Sequence, residues 1–216
     1  MLRQKLVAMI FAVIFSNLWS PFALAQMAEF SGNINLFGGQ KSLNKDDWSD
    51  EIVDVSKQNE YGIKIDFKQK DWPVSIAIDY LSSSKDDSVS AALINDPDLG
   101  TISVSEKVKG KTSELNLGVR KILDLPSPIR PFIGGGISIV NAKADFDASI
   151  SGLGSFSDSD TDNAVGVWIN AGVYVTLAEH FNIGVDLAYS NATVTLFEED
   201  TKVGGFHYGL LAGYHW

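Results

Sequence analysis

Three histidines, His180, His207 and His215, are the side chains of this sequence best suited to move a proton near neutral pH. Hydrolysis would require one of them to meet a hydroxyl and an acid. A His-x-Ser pair would put two of those groups on one strand face, but the residues two beyond His180 and His207 are Asn182 and Gly209. His180 is expected in a turn, and His207 and His215 on an inward polar face. Asp158, Asp160 and Asp162 in SFSDSDTDN have a spacing that could gather calcium. The stretch lacks the glycine and closing glutamate of an EF-hand loop, so a solvated acidic loop is expected. Trp48 in NKDDW stands beside acids and is expected to pack on a rim, with an adhesive contact as the alternative. Gly134, Gly135 and Gly136 follow no strand-to-helix phosphate-loop pattern; in a strand they relieve crowding. With no cysteine in the chain, thiol catalysis and Cys-type zinc sites are excluded. No catalytic group, metal or cofactor is expected.

The other available chemistry is ion pairing. Lys64, Asp66, Asp79, Glu114, Arg120 and Asp186 all lie in segments where apolar residues recur at every second position. That period belongs to a strand with two unlike faces. Eight segments carry it, at about 30–38, 61–67, 74–80, 114–120, 132–143, 165–177, 181–189 and 206–216, the seventh continuing to Phe197 after a change of phase. In the last, Phe206, Tyr208, Leu210, Ala212, Tyr214 and Trp216 alternate with His207, Gly209, Leu211, Gly213 and His215. One face of each segment collects Val, Ile, Leu and aromatics. The other collects Gly, Asn, Ser and the charges, with Trp168 and Tyr174 as its bulky members. The connections alternate too. Those after the first, third, fifth and seventh strands are expected to be long acidic loops: GQKSLNKDDWSDEIVDVSKQ, SSSKDDSVSAALINDPDLG with a strand extension near 101–108, KADFDASISGLGSFSDSDTD, and EEDTK. The others are short turns. In an up-and-down meander this puts all long loops on one rim and both termini on the other.

The N-terminus has Arg3 and Lys5 before an apolar run, then Ala23-Leu24-Ala25, which predicts a signal peptide over 1–25 and a mature domain over 26–216. An uncleaved anchor is the alternative. No later stretch offers the ~18 apolar residues of a membrane helix. The whole chain carries a net charge of −10, and removal of Arg3 and Lys5 leaves −12. Nucleic acid is a poor partner for such a surface.

Alternation alone does not distinguish inside from outside. The charges do, because six of them are too many for the apolar cavity of a water-soluble barrel. They suit a polar lumen, with lipid against the apolar face, and in lipid the sheet must close. The expected fold is therefore all-β: an eight-stranded antiparallel up-and-down transmembrane β-barrel. Its lumen is just wide enough for side chains to fill. Lys64 and Arg120 are expected to pair with inward carboxylates, Glu114 and Asp66 foremost.

With its signal peptide, eight alternating segments and terminal YHW, the chain resembles the small outer-membrane β-barrels of Gram-negative bacteria: the OmpA membrane domain, OmpX and the OmpW type. KDWPVSIAIDYLSSS and GYHW are also similar to stretches of barrel proteins without an assigned activity. The resemblance implies an outer-membrane location and contact with its lipid and lipopolysaccharide. It also implies a C-terminal signal read by the barrel-assembly machinery, here at Tyr214 and Trp216, with Trp where the family usually has Phe. The expected protein is a non-enzymatic monomer with a largely plugged lumen, supporting envelope integrity or surface interaction. A narrow channel for small or hydrophobic solutes, as in the OmpW type, is the alternative; a lipid A-modifying enzyme is a third reading.

Overall fold

Period-two alternation builds nearly every element of the molecule. The computed structural model describes residues 30–49, 53–96, 100–123, 125–151 and 154–216; the signal peptide expected at 1–25 lies outside them. Strands β1 (Phe30–Leu43), β2 (Lys57–Gln69), β3 (Ser75–Asp96), β4 (Gly100–Ile122), β5 (Ile129–Ile150), β6 (Gly154–Leu177) and β7 (Phe181–Asn191) follow one another as an antiparallel meander. A small hairpin, β8 (Thr193–Leu196) and β9 (Glu199–Lys202), precedes β10 (Gly205–His215), which pairs with both β7 and β1 and closes the barrel. Gly32 and Trp216 exchange backbone hydrogen bonds of 3.1 Å at the seam. The Trp216 ring lies where a Cβ on residue 32 would sit, 2.5 Å from that position, so only glycine fits beneath it.

The faces fall as alternation dictates. Leu36, Ile133, Val165, Ile169, Leu187 and Leu210 are each at least 60% exposed. Asn33, Asn35, Asp79, Glu114, Arg120, Asn170 and Asp186 are buried on the inner side. A belt of bare Val, Ile, Leu and aromatic side chains with a charged interior is stable only if the outer solvent is lipid. Tyr214 belongs to this belt at its lower rim, stacked on His180 at 5.2 Å and edge-on to Phe181 at 6.0 Å.

Strand length is where the structure departs from expectation. β7 and β10 have 11 residues each, enough for one crossing of the bilayer. β3, β4, β5 and β6 have 22, 23, 22 and 24. The second and third long connections are therefore not loops. They are continuations of the β3–β4 and β5–β6 hairpins, paired almost to their tips and also to each other. Stretches such as SSSKDDSVS and SDSDTD are polar at most positions and carry no hydrophobic period. The backbone ladder, templated by the barrel below, keeps them extended. From Leu81 to Asp96, β3 rises about 50 Å along its own axis at ~3.4 Å per residue. The first connection also shrinks, because β1 runs on to Leu43 and β2 begins at Lys57. Between them α1 (Lys45–Trp48) forms one helical turn whose N-cap, Asn44, accepts from the Asp46 amide at 3.1 Å. The fourth becomes the β8–β9 hairpin.

Candidate functional site: an ion-paired lumen under an apolar lid

Small inward residues leave a narrow lumen, and four layers of side chains fill it. In the lowest, Asn182 donates to Asn33 at 2.9 Å and Thr176 donates to Asn182 at 2.9 Å. Asn33 in turn donates to Asp66 at 2.7 Å.

Above it lies the first ionic layer. Arg120 on β4 donates to Asp79 at 2.7 Å and to Asp66 at 3.2 Å. Lys64 on β2 reaches Asp79 at 3.4 Å and crosses the lumen to Asp186 on β7. Asp186 also accepts from Asn170 at 2.9 Å. Phe37 and Phe132 roof the two cations at 5.1 and 5.4 Å, in an aromatic layer shared with Leu81, Tyr174 and Leu211. Thus five of the six charges read from the sequence meet in one network. Glu114 does not join it, and Lys64 takes Asp79 and Asp186 as partners. The register sets Lys64 directly opposite Asp79, and the stagger of the strands lifts Glu114 out of the layer.

Glu114 belongs to a second ionic layer nearer the outside. Lys41 pairs with it and also donates to Thr112 at 3.0 Å and to the Val203 carbonyl at 2.7 Å. His207 Nδ1 lies 2.9 Å from both oxygens of Glu60, and Nε2 lies 3.0 Å from Ser190 Oγ. Lys41 falls in the first loop expected from the sequence and Glu60 just ahead of the second segment, yet both continue the inward alternation of Asn35 and Lys64. Extending that period past the last apolar residue would have found both. His207 and His215 point inward, with His215 half-buried and Nδ1 2.9 Å from the Gly32 carbonyl, and His180 lies in the turn after β6.

Ser190, His207 and Glu60 thus stand in the order of a Ser-His-acid triad, each from a different strand. The geometry is that of an ionic network. Ser190 Oγ also lies 3.2 Å from Glu114, which ties the three groups into the second ionic layer, and all three side chains are at most 2% exposed.

The outer end is sealed by the β8–β9 hairpin, which folds inward. Ala192, Val194, Leu196 and Val203 pack against Leu43, Trp48, Val55, Val140 and Ala142, all buried. Trp48 Nε1 donates to the Lys202 carbonyl at 2.8 Å, and the Lys202 amide donates to Asp47 at 3.2 Å. Trp48 also rests over Gly110, where a Cβ would come within 2.8 Å of its ring. Two acids flagged in the sequence hold the free side of β8. Asp162 accepts from the Thr195 amide at 2.9 Å and Asp160 from the Phe197 amide at 2.7 Å. The Thr195 and then the Asn163 amides hold the Asp162 carboxyl below its ordinary range, against a smaller desolvation effect. Asp160 and Asp162 are clasps for the lid. Among the described residues no group of His, Asp and Glu could hold a metal ion.

The model of the family described as outer membrane protein beta-barrel domain matches residues 12–215. The chain belongs to this family, and it resides in the outer membrane. No curated protein matches it. Among solved structures it is similar to the N-terminal β-barrel domain of Pseudomonas aeruginosa OprF, with 16% identity over 86% of this chain and 97% of that one and a TM-score of 0.46. OprG of the same organism is similar at 10% identity over 87% and 94%, TM-score 0.45. Ail of Yersinia pestis, solved with the heparin analogue sucrose octasulfate, is similar at 16% identity over 87% and 99%, TM-score 0.43.

Proposed function

We propose that the protein is a non-enzymatic, monomeric outer-membrane barrel with a closed lumen, which supports envelope integrity and presents its tall outer sheet to surface partners. One observation carries this reading: ion pairs join β2, β3 and β4 to one another and, through Lys64 and Asp186, cross the lumen to β7, and an apolar lid caps them. A conduction path needs continuous water, and the paired side chains and the apolar lid stand across it. The network of Lys64, Asp66, Asp79, Arg120 and Asp186 acts as a structural plug, with the layer of Lys41, Glu60, Glu114 and His207 as a second. Residues 1–25 direct export and are removed. Tyr214 and Trp216 serve the barrel-assembly machinery, and lipopolysaccharide surrounds the outer half of the apolar belt.

Planar-bilayer recording tests the reading. The expected record shows no stable openings. Large, sustained, weakly selective openings from the unmodified protein would replace it with the channel reading. Lipid A mass spectra from cells with and without the protein are expected to be identical; a new deacylated or modified species would overturn the non-enzymatic assignment.

A further inference from the structure

A cavity of about 340 Å³ opens at the outer mouth between the lid and the extended β4–β5 sheet. Its floor is apolar, formed by Trp48, Val55, Val108, Leu196 and Phe197. Its rim carries Asp46, Asp47, Asp145 and Glu199, and no basic side chain lies among the described lining residues. The volume is at the lower end of the range for small-molecule sites, about 300–1,000 Å³.

Phe197 gives a second reason to regard the cavity as a site. It occupies the β8–β9 turn at φ 50°, a backbone position that suits asparagine or glycine. Its side chain is 43% exposed, so the aromatic adds little to the lid's own packing. Its amide donates to Asp160 at 2.7 Å, and the residue lines the cavity. An exposed aromatic above the lipid belt and at the edge of the cavity offers its ring to a bound molecule.

We propose that this cavity binds a small amphipathic organic cation: an ammonium on an aryl or alkyl body of about ten non-hydrogen atoms, the body on the apolar floor and the charge at the acidic rim. The charge pattern selects against anions, lipopolysaccharide phosphates included. The site is independent of whether the lumen conducts, because it lies outside the lid.

The test uses the full mature protein in zwitterionic phosphatidylcholine nanodiscs, with 2-phenylethylammonium as probe and neutral 2-phenylethanol and anionic 3-phenylpropionate for comparison. Binding is read by saturation-transfer NMR. The ammonium is expected to bind saturably, more tightly than the alcohol, and the carboxylate not at all. Asp47 is engaged by the Lys202 amide and Asp145 by Lys143, so the charge variant is Asp46→Asn with Glu199→Gln. It is expected to weaken the ammonium about five-fold and leave the alcohol unchanged, as two solvent-screened ion pairs would. Phe197→Asn suits the turn, so it is expected to keep or raise the unfolding midpoint while weakening both ligands. Equal affinity for ammonium and alcohol, or ammonium binding unmoved by the charge variant, would overturn the proposal. So would non-saturable signals that neither variant alters, which would mean partition into lipid.

Discussion

Arg120→Ala probes the plug most directly. Arg120 is 2% exposed, and its guanidinium is shared by Asp66 and Asp79. Among the described residues of that layer two cations, Lys64 and Arg120, face three carboxylates, Asp66, Asp79 and Asp186. Truncation leaves Lys64 alone against all three. Asp66 keeps only its Asn33 donor, and Asp79 keeps only Lys64 at 3.4 Å. Breaking a buried pair by removing one partner costs about 3–5 kcal/mol. With a guanidinium slope of about 4 kcal/mol/M for a domain of this size, the midpoint should fall by roughly 1 M. The decisive variant is Arg120→Ala with Asp79→Asn, which restores the charge balance of the layer. It should recover a large part of the loss, because most of the penalty belongs to the stranded carboxylate and little to the lost contact. The assay is equilibrium unfolding followed by tryptophan fluorescence in detergent micelles. A single variant that loses less than about 1 kcal/mol, or a double variant no better than the single, would refute a lumen held by desolvated ion pairs.

Three further outcomes are expected. The turn between β6 and β7 places Ala178 at φ 48° and Glu179 at φ 67° with no glycine or asparagine, so Ala178→Asn with Glu179→Gly should stabilise the barrel by about 1 kcal/mol; an unchanged or lower midpoint would count against the positive-φ turn. Asp162 has a carboxyl pKa depressed below its ordinary 3.8 by the Thr195 amide, so its hold on the lid is present above that value and is lost as pH falls through the lower folded value. The Thr195 amide resonance should shift in that acid window and stay flat in Asp162→Asn; titration that persists in the variant would assign it elsewhere. Deletion of residues 214–216 removes Trp216 from the Gly32 seam and should cripple assembly while leaving export intact, measured as loss of the heat-modifiable band with full processing of the precursor; normal barrel levels would remove Tyr214 and Trp216 from the assembly signal.

Alternation within single strands decided which way each side chain faces, because the period of two is a local property of extended backbone. Ile34, Ile133, Val165 and Leu210 against Asn33, Gly134, Gly166 and Leu211 gave strands with two unlike faces, and the charges at Lys64, Asp66, Asp79, Glu114, Arg120 and Asp186 put the polar face in the lumen and lipid outside. The same logic failed where that pattern ran out. The upper halves of β3 and β6 have no apolar face, and pairing with β4 and β5 keeps them extended. The lid misled in the opposite way. Val194 and Leu196 alternate with Thr193 and Thr195 like one more stretch of wall, and the sequence alone carries β7 on to Phe197. In the folded chain the ladder stops at Asn191, β8 pairs with β9, and the apolar side turns inward onto Trp48. Asp66 does pair with Arg120 as expected, but the other ion-pair partners were out of reach. Lys64 and Asp186 are 122 residues apart, and Ser190, His207 and Glu60 come from three strands. Which inward groups share a layer depends on strand stagger and barrel diameter, and both are fixed only when β10 meets β1 and the sheet closes.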